Sequence, residues 1–167
     1  MIETERLLLR RFDLRDFEDY YAMSSDPVPY APTVSDRRTG WQKFLSYIGH
    51  WTVFGYGDFA VADRASGRFI GLAGLSRRER GLGAEFDACD EGAWWFVARD
   101  RGKGMGIEAV TGMHTWYDAN RGPRRTVCII SAANEPSLRI ADRAGYREYG
   151  RCEYAGEETI MFERVPG

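Results

Sequence analysis

The sequence is poor in the residues that staple a fold, ligate a metal or anchor a chain. Its 167 residues include three cysteines, Cys89, Cys128 and Cys152, none in C-x-x-C spacing, so reduced thiols are expected rather than disulfides or a thiolate metal site. The two histidines, His50 and His114, stand apart from each other and from any cysteine pair, and no metal is expected. No apolar run approaches the ~20 residues that span a bilayer. Met1 does not open a basic, apolar-cored leader, so a soluble, cytoplasmic protein without a membrane partner is expected. A net charge of −2 and a pI near 5.8 supply no basic face for nucleic acid. Repeats, low-complexity tracts and linkers are also missing. The chain therefore reads as one domain over residues 1–167, with 44% hydrophobic and 14% aromatic residues available for a core.

Glycine is what the chain places with care. In RDRGKGMGIEAV, Arg99 to Val110, three alternating glycines follow the apolar run Ala93 to Ala98 and precede a helical pattern through Ala109, Val110, Met113, Trp116 and Tyr117. The run reads as a buried strand and the pattern as an amphipathic helix from about Gly104. Gly102, Gly104 and Gly106 would then form the strand-to-helix turn, turning backbone N–H groups toward an anion at the positive end of the helix. Arg99, Arg101 and Lys103 add charge around it. The spacing is neither a Walker loop nor G-x-G-x-x-G, which leaves a phosphoryl-transfer enzyme without its lysine-serine pair and second metal motif.

A second motif lies downstream in NEPSLRIADRAGYREYG, Asn134 to Gly150. Asn134 suits a helix cap, Pro136 and Ser137 suit its first turn, and Gly145 suits its close. The apolar, β-branched stretch Thr126 to Ile130 precedes it as a strand. A right-handed strand–helix–strand crossover places the two strands side by side and parallel, with the glycine turn and Asn134 both at their carboxyl ends.

Together these segments resemble the GNAT superfamily of acetyltransferases. Arg99-x-x-Gly102-x-Gly104 is similar to the Q/R-x-x-G-x-G/A signature that holds the pyrophosphate of acetyl-coenzyme A, and Asn134 to Tyr146 to the N-x-x-S-x-R-x-x-x-x-x-G-F/Y signature. TERLLLRRF, Thr4 to Phe12, and EGAWWFVARDRGKGMGIEAV resemble the branch containing the ribosomal-protein N-terminal acetyltransferases. The resemblance implies an α/β GNAT fold: a mixed central β-sheet flanked by helices, with a splayed parallel strand pair forming the acetyl-coenzyme A cleft. Two departures stand out. Val97-Ala98 replaces the usual polar residue and proline, and Gly106-Ile107 replaces Ala-Thr.

The implied reaction joins a thioester to an amine, so a proton must leave the amine and the departing thiolate must be stabilised. Glu91 is the first candidate base; it reads equally as a solvated turn acid in DACDEG, with Asp90 and Glu85 behind it. Ser137 is the candidate acid, or a local support for its helix, with Tyr146, Tyr149 and Tyr154 as alternatives. For the coenzyme the resemblance implies the loop from Arg99 through Arg101, Gly102, Lys103, Gly104, Met105 and Gly106, together with Asn134 on the pantetheine arm. Backbone N–H groups of Phe96 and Val97 are expected to polarise the thioester carbonyl. Tyr30, in the proline loop 26–33, and Trp51 are expected to line the acceptor pocket, or to be ordinary packing.

The expected activity is acetyl transfer from acetyl-coenzyme A to an amine (a protein N-terminus, an amino acid or a small amine) by direct attack in a ternary complex, since no cysteine lies in the motifs. The alternative is a non-catalytic module that binds acyl-coenzyme A as a sensor. A homodimer is a further expectation from the resemblance.

Overall fold

The computed structural model describes residues 1–28 and 33–165. Its elements follow the order β1 (Ile2–Glu3), β2 (Leu7–Arg10), α1 (Phe17–Ser25), α2 (Arg37–Phe54), β3 (Asp58–Asp63), β4 (Phe69–Ser76), α3 (Ala84–Asp87), β5 (Asp90–Phe96), α4 (Met105–Arg121), β6 (Thr126–Ser131), α5 (Glu135–Arg143), β7 (Arg147–Tyr154) and β8 (Glu157–Arg164). Asp13 and Asp16 form a reciprocal capping box around a short turn before α1. Asp36 caps α2 by accepting from the Thr39 N–H.

The strands form one eight-stranded sheet in the order β1-β2-β3-β4-β5-β6-β8-β7. All neighbours are antiparallel except β5 and β6, which run parallel. The helix α4 packs on one face, burying Ala109, Val110, Met113 and Tyr117 against Leu7, Leu9, Val61 and Ile70. On the other, α1 and α2 bury Phe17, Tyr20, Met23, Phe44 and Tyr47 against Phe12, Phe69 and Leu72. Several of these aromatics meet edge-to-face, among them Phe12 and Phe44 at 5.6 Å, the arrangement their ring quadrupoles favour.

Two irregularities open the sheet. The β3–β4 register jumps from Val61↔Gly71 to Ala62↔Phe69, leaving one extra residue on β4, and such a bulge sharpens local twist. Beyond it, β5 pairs with β6 only at Asp90↔Thr126 and Glu91↔Val127. From Gly92 onward the two parallel strands diverge, as the motif resemblance implied.

Candidate active site

The divergence leaves space along one edge of β5. The Val97 N–H bonds back to Ile70 O on the β4 side at 2.9 Å. Because strand residues alternate, Trp94 and Phe96 turn their backbone groups the other way, into the gap. This corrects the expectation for Val97, whose N–H is committed to the sheet, and leaves Phe96 as the donor facing the opening. The Phe96 carbonyl accepts from Arg101 Nε at 2.9 Å, so Arg101 braces the strand end in addition to lending the loop charge.

The loop after β5 behaves as the glycine spacing predicts, with one change. Gly102 and Gly104 have φ of 75° and 78°, a left-handed backbone that glycine alone adopts without strain. Gly106 is not in the turn. It lies within the first turn of α4, where an added Cβ would sit 2.7 Å from Ile140 Cδ1, so its small size lets the helices carrying the two motifs approach. Met105 begins α4 and its side chain packs on the core. The N–H groups of 102–107 have no acceptor among the described residues. Free N–H groups so placed at a helix N-terminus are able to cradle an anion.

Five residues missed in the sequence, Thr4, Arg6, Arg68, Asp100 and Glu108, brace that loop. Glu108 accepts from Thr4 Oγ1 at 2.6 Å, Arg6 N–H at 2.8 Å and Arg6 Nε at 2.7 Å, while Arg6 Nη1 donates to Lys103 O at 2.9 Å. Beneath the loop, buried Asp100 takes a bidentate pair from Arg68 at 2.7 and 3.0 Å, which holds its carboxyl below the usual carboxylate range. Lys103 and Arg99 also approach Asp100, at 3.4 and 3.7 Å. The only advance signal was that Thr4, Arg6, Asp100 and Glu108 fall inside the quoted motif stretches.

Two connected cavities follow the gap. A slot of about 170 Å³ runs from Gly102 and Gly106 past Phe96 and Ile140. A larger cavity of about 440 Å³ continues over Glu91, Cys128, Arg78 and Tyr154. Trp94, Trp95, Asn134 and Ser137 line both. Asn134 Oδ1 accepts from the Ser137 N–H at 3.2 Å, the helix cap expected of it. The Ser137 hydroxyl accepts from Trp94 Nε1 at 3.2 Å, which leaves its own proton free to donate into the junction.

Glu91 is neither exposed nor in a turn. It lies within β5, 3% exposed, with Arg80 Nε and Nη2 each donating to it at 2.6 Å. Arg80 Nη1 reaches Tyr154 OH at 2.7 Å. Asp90 is held away from the cavities by the hydroxyls of Tyr56 and Tyr117, and Glu85 lies on α3 paired with Arg125. Tyr146 is buried with its hydroxyl against Thr126, and Tyr149 lies beneath Arg125. Of the three tyrosines considered, only Tyr154 lines a cavity. Cys128 is also in the wall, but burial and the charge of Glu91 push its thiol well above the ordinary range, away from the nucleophilic thiolate.

Trp51 does not line the cavity. It is buried in the core against Phe59 and Trp116, with Nε1 donating to Asp58 O at 2.7 Å. Burial rather than ligand contact accounts for this aromatic. Tyr30 falls outside the described residues. Among the described residues no helix is long and apolar enough to cross a membrane, and no group of histidine, cysteine and acidic residues is placed to hold a metal.

Residues 6–147 match the family model of the GNAT acetyltransferase domain. A solved protein described as a GnaT-family acetyltransferase from Bordetella pertussis is 30% identical, with a TM-score of 0.88 over 98% of each chain. The ribosomal-protein-S5-alanine acetyltransferase of Vibrio fischeri is 20% identical, with a TM-score of 0.78 over 98% of this chain and 94% of its own. A ribosomal L7/L12 α-N-protein acetyltransferase, solved in complex with coenzyme A, is 15% identical, with a TM-score of 0.76 over 97% of this chain and 95% of its own. The last two share the fold.

Proposed function

The chain belongs to the GNAT acetyltransferases, and from that premise we propose that it transfers an acetyl group from acetyl-coenzyme A to an amine by direct attack at the junction of its two cavities. One observation carries this reading: β5 and β6 part after Glu91, and the resulting gap leads from an N–H cradle at one end to a wider chamber at the other, meeting at Ser137. A binding module alone would have no need of the second chamber.

The residues present fit the coenzyme. The unpaired N–H groups of 102–107 suit a pyrophosphate, the open edge of β5 and Asn134 suit a chain of amides, and Gly106 keeps the slot clear. Acetyl-coenzyme A supplies the activated acyl thioester. The protein holds the carbonyl near the Phe96 N–H, excludes bulk water with Trp94 and Trp95, and receives the amine from the wider cavity.

Proton traffic divides between two residues. A proton on Glu91 would neutralise the carboxylate that Arg80 pairs with through two 2.6 Å hydrogen bonds, so the amine's proton leaves through water in the cavity while Glu91 stabilises the positive charge nearby. Ser137, with its oxygen engaged by Trp94, donates its proton toward the departing sulfur, and Tyr154 is the next donor along the wall. The protein is expected to act in the cytoplasm, on an amine presented as a small molecule or peptide.

Thermal unfolding with acetyl-coenzyme A is the test. At about 100 times its dissociation constant the ligand adds roughly 2.7 kcal/mol to the folded state, so the midpoint rises, and adenine alone does not reproduce the shift. Absence of a shift at millimolar coenzyme would defeat the proposal.

A further inference from the structure

The wider cavity has a charge arrangement of its own. Two guanidiniums line it, each paired with a carboxylate: Arg80 with Glu91, which is also in the wall, and Arg78 with Asp58, which lies outside the lining, at 2.8 and 3.0 Å. Their order in depth is uneven. The carboxylate side chains of Glu91 and Asp58 are each 3% exposed, whereas Arg80 and Arg78 are 21% and 20% exposed. The guanidiniums therefore stand in front and the acids behind.

Arg78 is not fully used. Its Nη2 serves both Asp58 oxygens, and its buried Nε has no hydrogen-bond partner among the described residues, which leaves Nη1 as the guanidinium nitrogen with no partner in the ion pair. Lys43, on α2, lines the same cavity and takes no part in the ion pairs found there among the described residues. Loss of water around its ammonium, and then the charges of Arg78 and Arg80, lower its pKa. An opposing charge does exist in Glu157 at the start of β8, also in the wall and exposed.

From this order of charges we infer that the acceptor is an amine that also carries a carboxylate, the anionic group held by Lys43, Arg78 and Arg80 while the amine points to the junction at Ser137. A polycation such as a polyamine would instead bring its charges against those three side chains. The inference rests on the acetyl-transfer reading of the same cavity. Both a free amino acid and a peptide N-terminus with an acidic side chain offer this chemistry.

The experiment uses the whole protein with acetyl-coenzyme A and follows thiol release. The acceptors are the twenty amino acids, their carboxamides, spermidine, and short C-terminally amidated peptides with Asp or Glu near the N-terminus beside their Asn and Gln counterparts. Acids are expected to exceed their amides in kcat/KM by about tenfold or more, the scale of a well-placed charge pair. Lys43→Gln is expected to raise KM for the preferred acid and narrow that ratio. Preference for free acids places the carboxylate on the amine-bearing carbon, and preference for acidic over neutral peptides places it on a side chain. Amides or spermidine turned over as well as the acids would overturn this inference alone, as would coenzyme-induced stabilisation with no acid accepted. Loss of both stabilisation and turnover would remove the transferase reading beneath it.

Discussion

The two ends of the gap are built from different materials. At the proposed donor end the groups offered to a ligand are backbone N–H groups, in a loop with two left-handed glycines braced by Arg6, Glu108 and Asp100. At the proposed acceptor end the lining offers side chains instead, Lys43, Arg78, Arg80 and Tyr154, from three separate stretches of chain. Backbone donors would recognise a phosphate whatever the neighbouring side chains are, so that end is expected to tolerate the departures at Val97-Ala98 and Gly106-Ile107. Side-chain recognition changes with each substitution, and the acceptor end is where members of one fold acquire different amines.

The sharpest way to break this contrast is Gly104→Glu, which places both a side chain and a negative charge in the cradle. Coenzyme affinity is expected to fall by about 100-fold or more, a cost of ~3 kcal/mol, read as loss of the coenzyme-induced rise in unfolding midpoint. Ser137→Ala acts at the junction. It is expected to lower kcat by about 10- to 100-fold, in the range of a single proton donor, while titration calorimetry gives a coenzyme affinity within a few-fold of the parent. Equal losses in both would assign Ser137 to binding.

Glu108→Gln tests whether the donor end depends on its bracing. Weakening the contacts to Thr4 and Arg6 is expected to raise KM for the coenzyme by about tenfold and to cost ~1–2 kcal/mol of stability. An unchanged KM with lowered stability would mean that the cradle holds its shape without them.

The smallest effect concerns His114, which belongs to neither end and sets the acid range over which they can be compared. Both of its ring nitrogens are buried beside Tyr146 without partners among the described residues, and burial, reinforced by Arg164, lowers its pKa from 6.5 to about 3. The unfolded chain therefore binds a proton below about pH 6.5 that the folded protein refuses until about pH 3. Stability is expected to fall with decreasing pH across that window, by ~2 kcal/mol between pH 7 and 5. His114→Phe should remove this component of the slope in denaturant titrations at the two pH values.

The same contrast explains what was legible in the sequence. Gly102, Gly104, Asn134 and the parallel order of β5 and β6 could be read because each leaves a local mark: a turn residue, a cap or a change of hydrophobic period. Lys43 and Arg78 left no such mark, since each becomes part of the cavity only when α2 and the segment after β4 are folded beside β5. Glu91 was found through its place in a motif, but its burial against Arg80 depends on a partner that the motif does not contain. Trp51 misled because an aromatic in an aromatic-rich stretch looks the same in sequence whether it faces a ligand or fills a core.

The brace between Arg6 and Glu108 also bears on the order in which the protein becomes competent. These residues are separated by 102 positions, so during synthesis the strand carrying Arg6 is made long before the helix that it steadies. Closing so long a loop is slow compared with forming α4 locally. A nascent chain would thus hold a helix with an unshaped glycine turn at its head until the first strand returns to it, and the ability to hold coenzyme should emerge late, as a mark of a nearly finished fold.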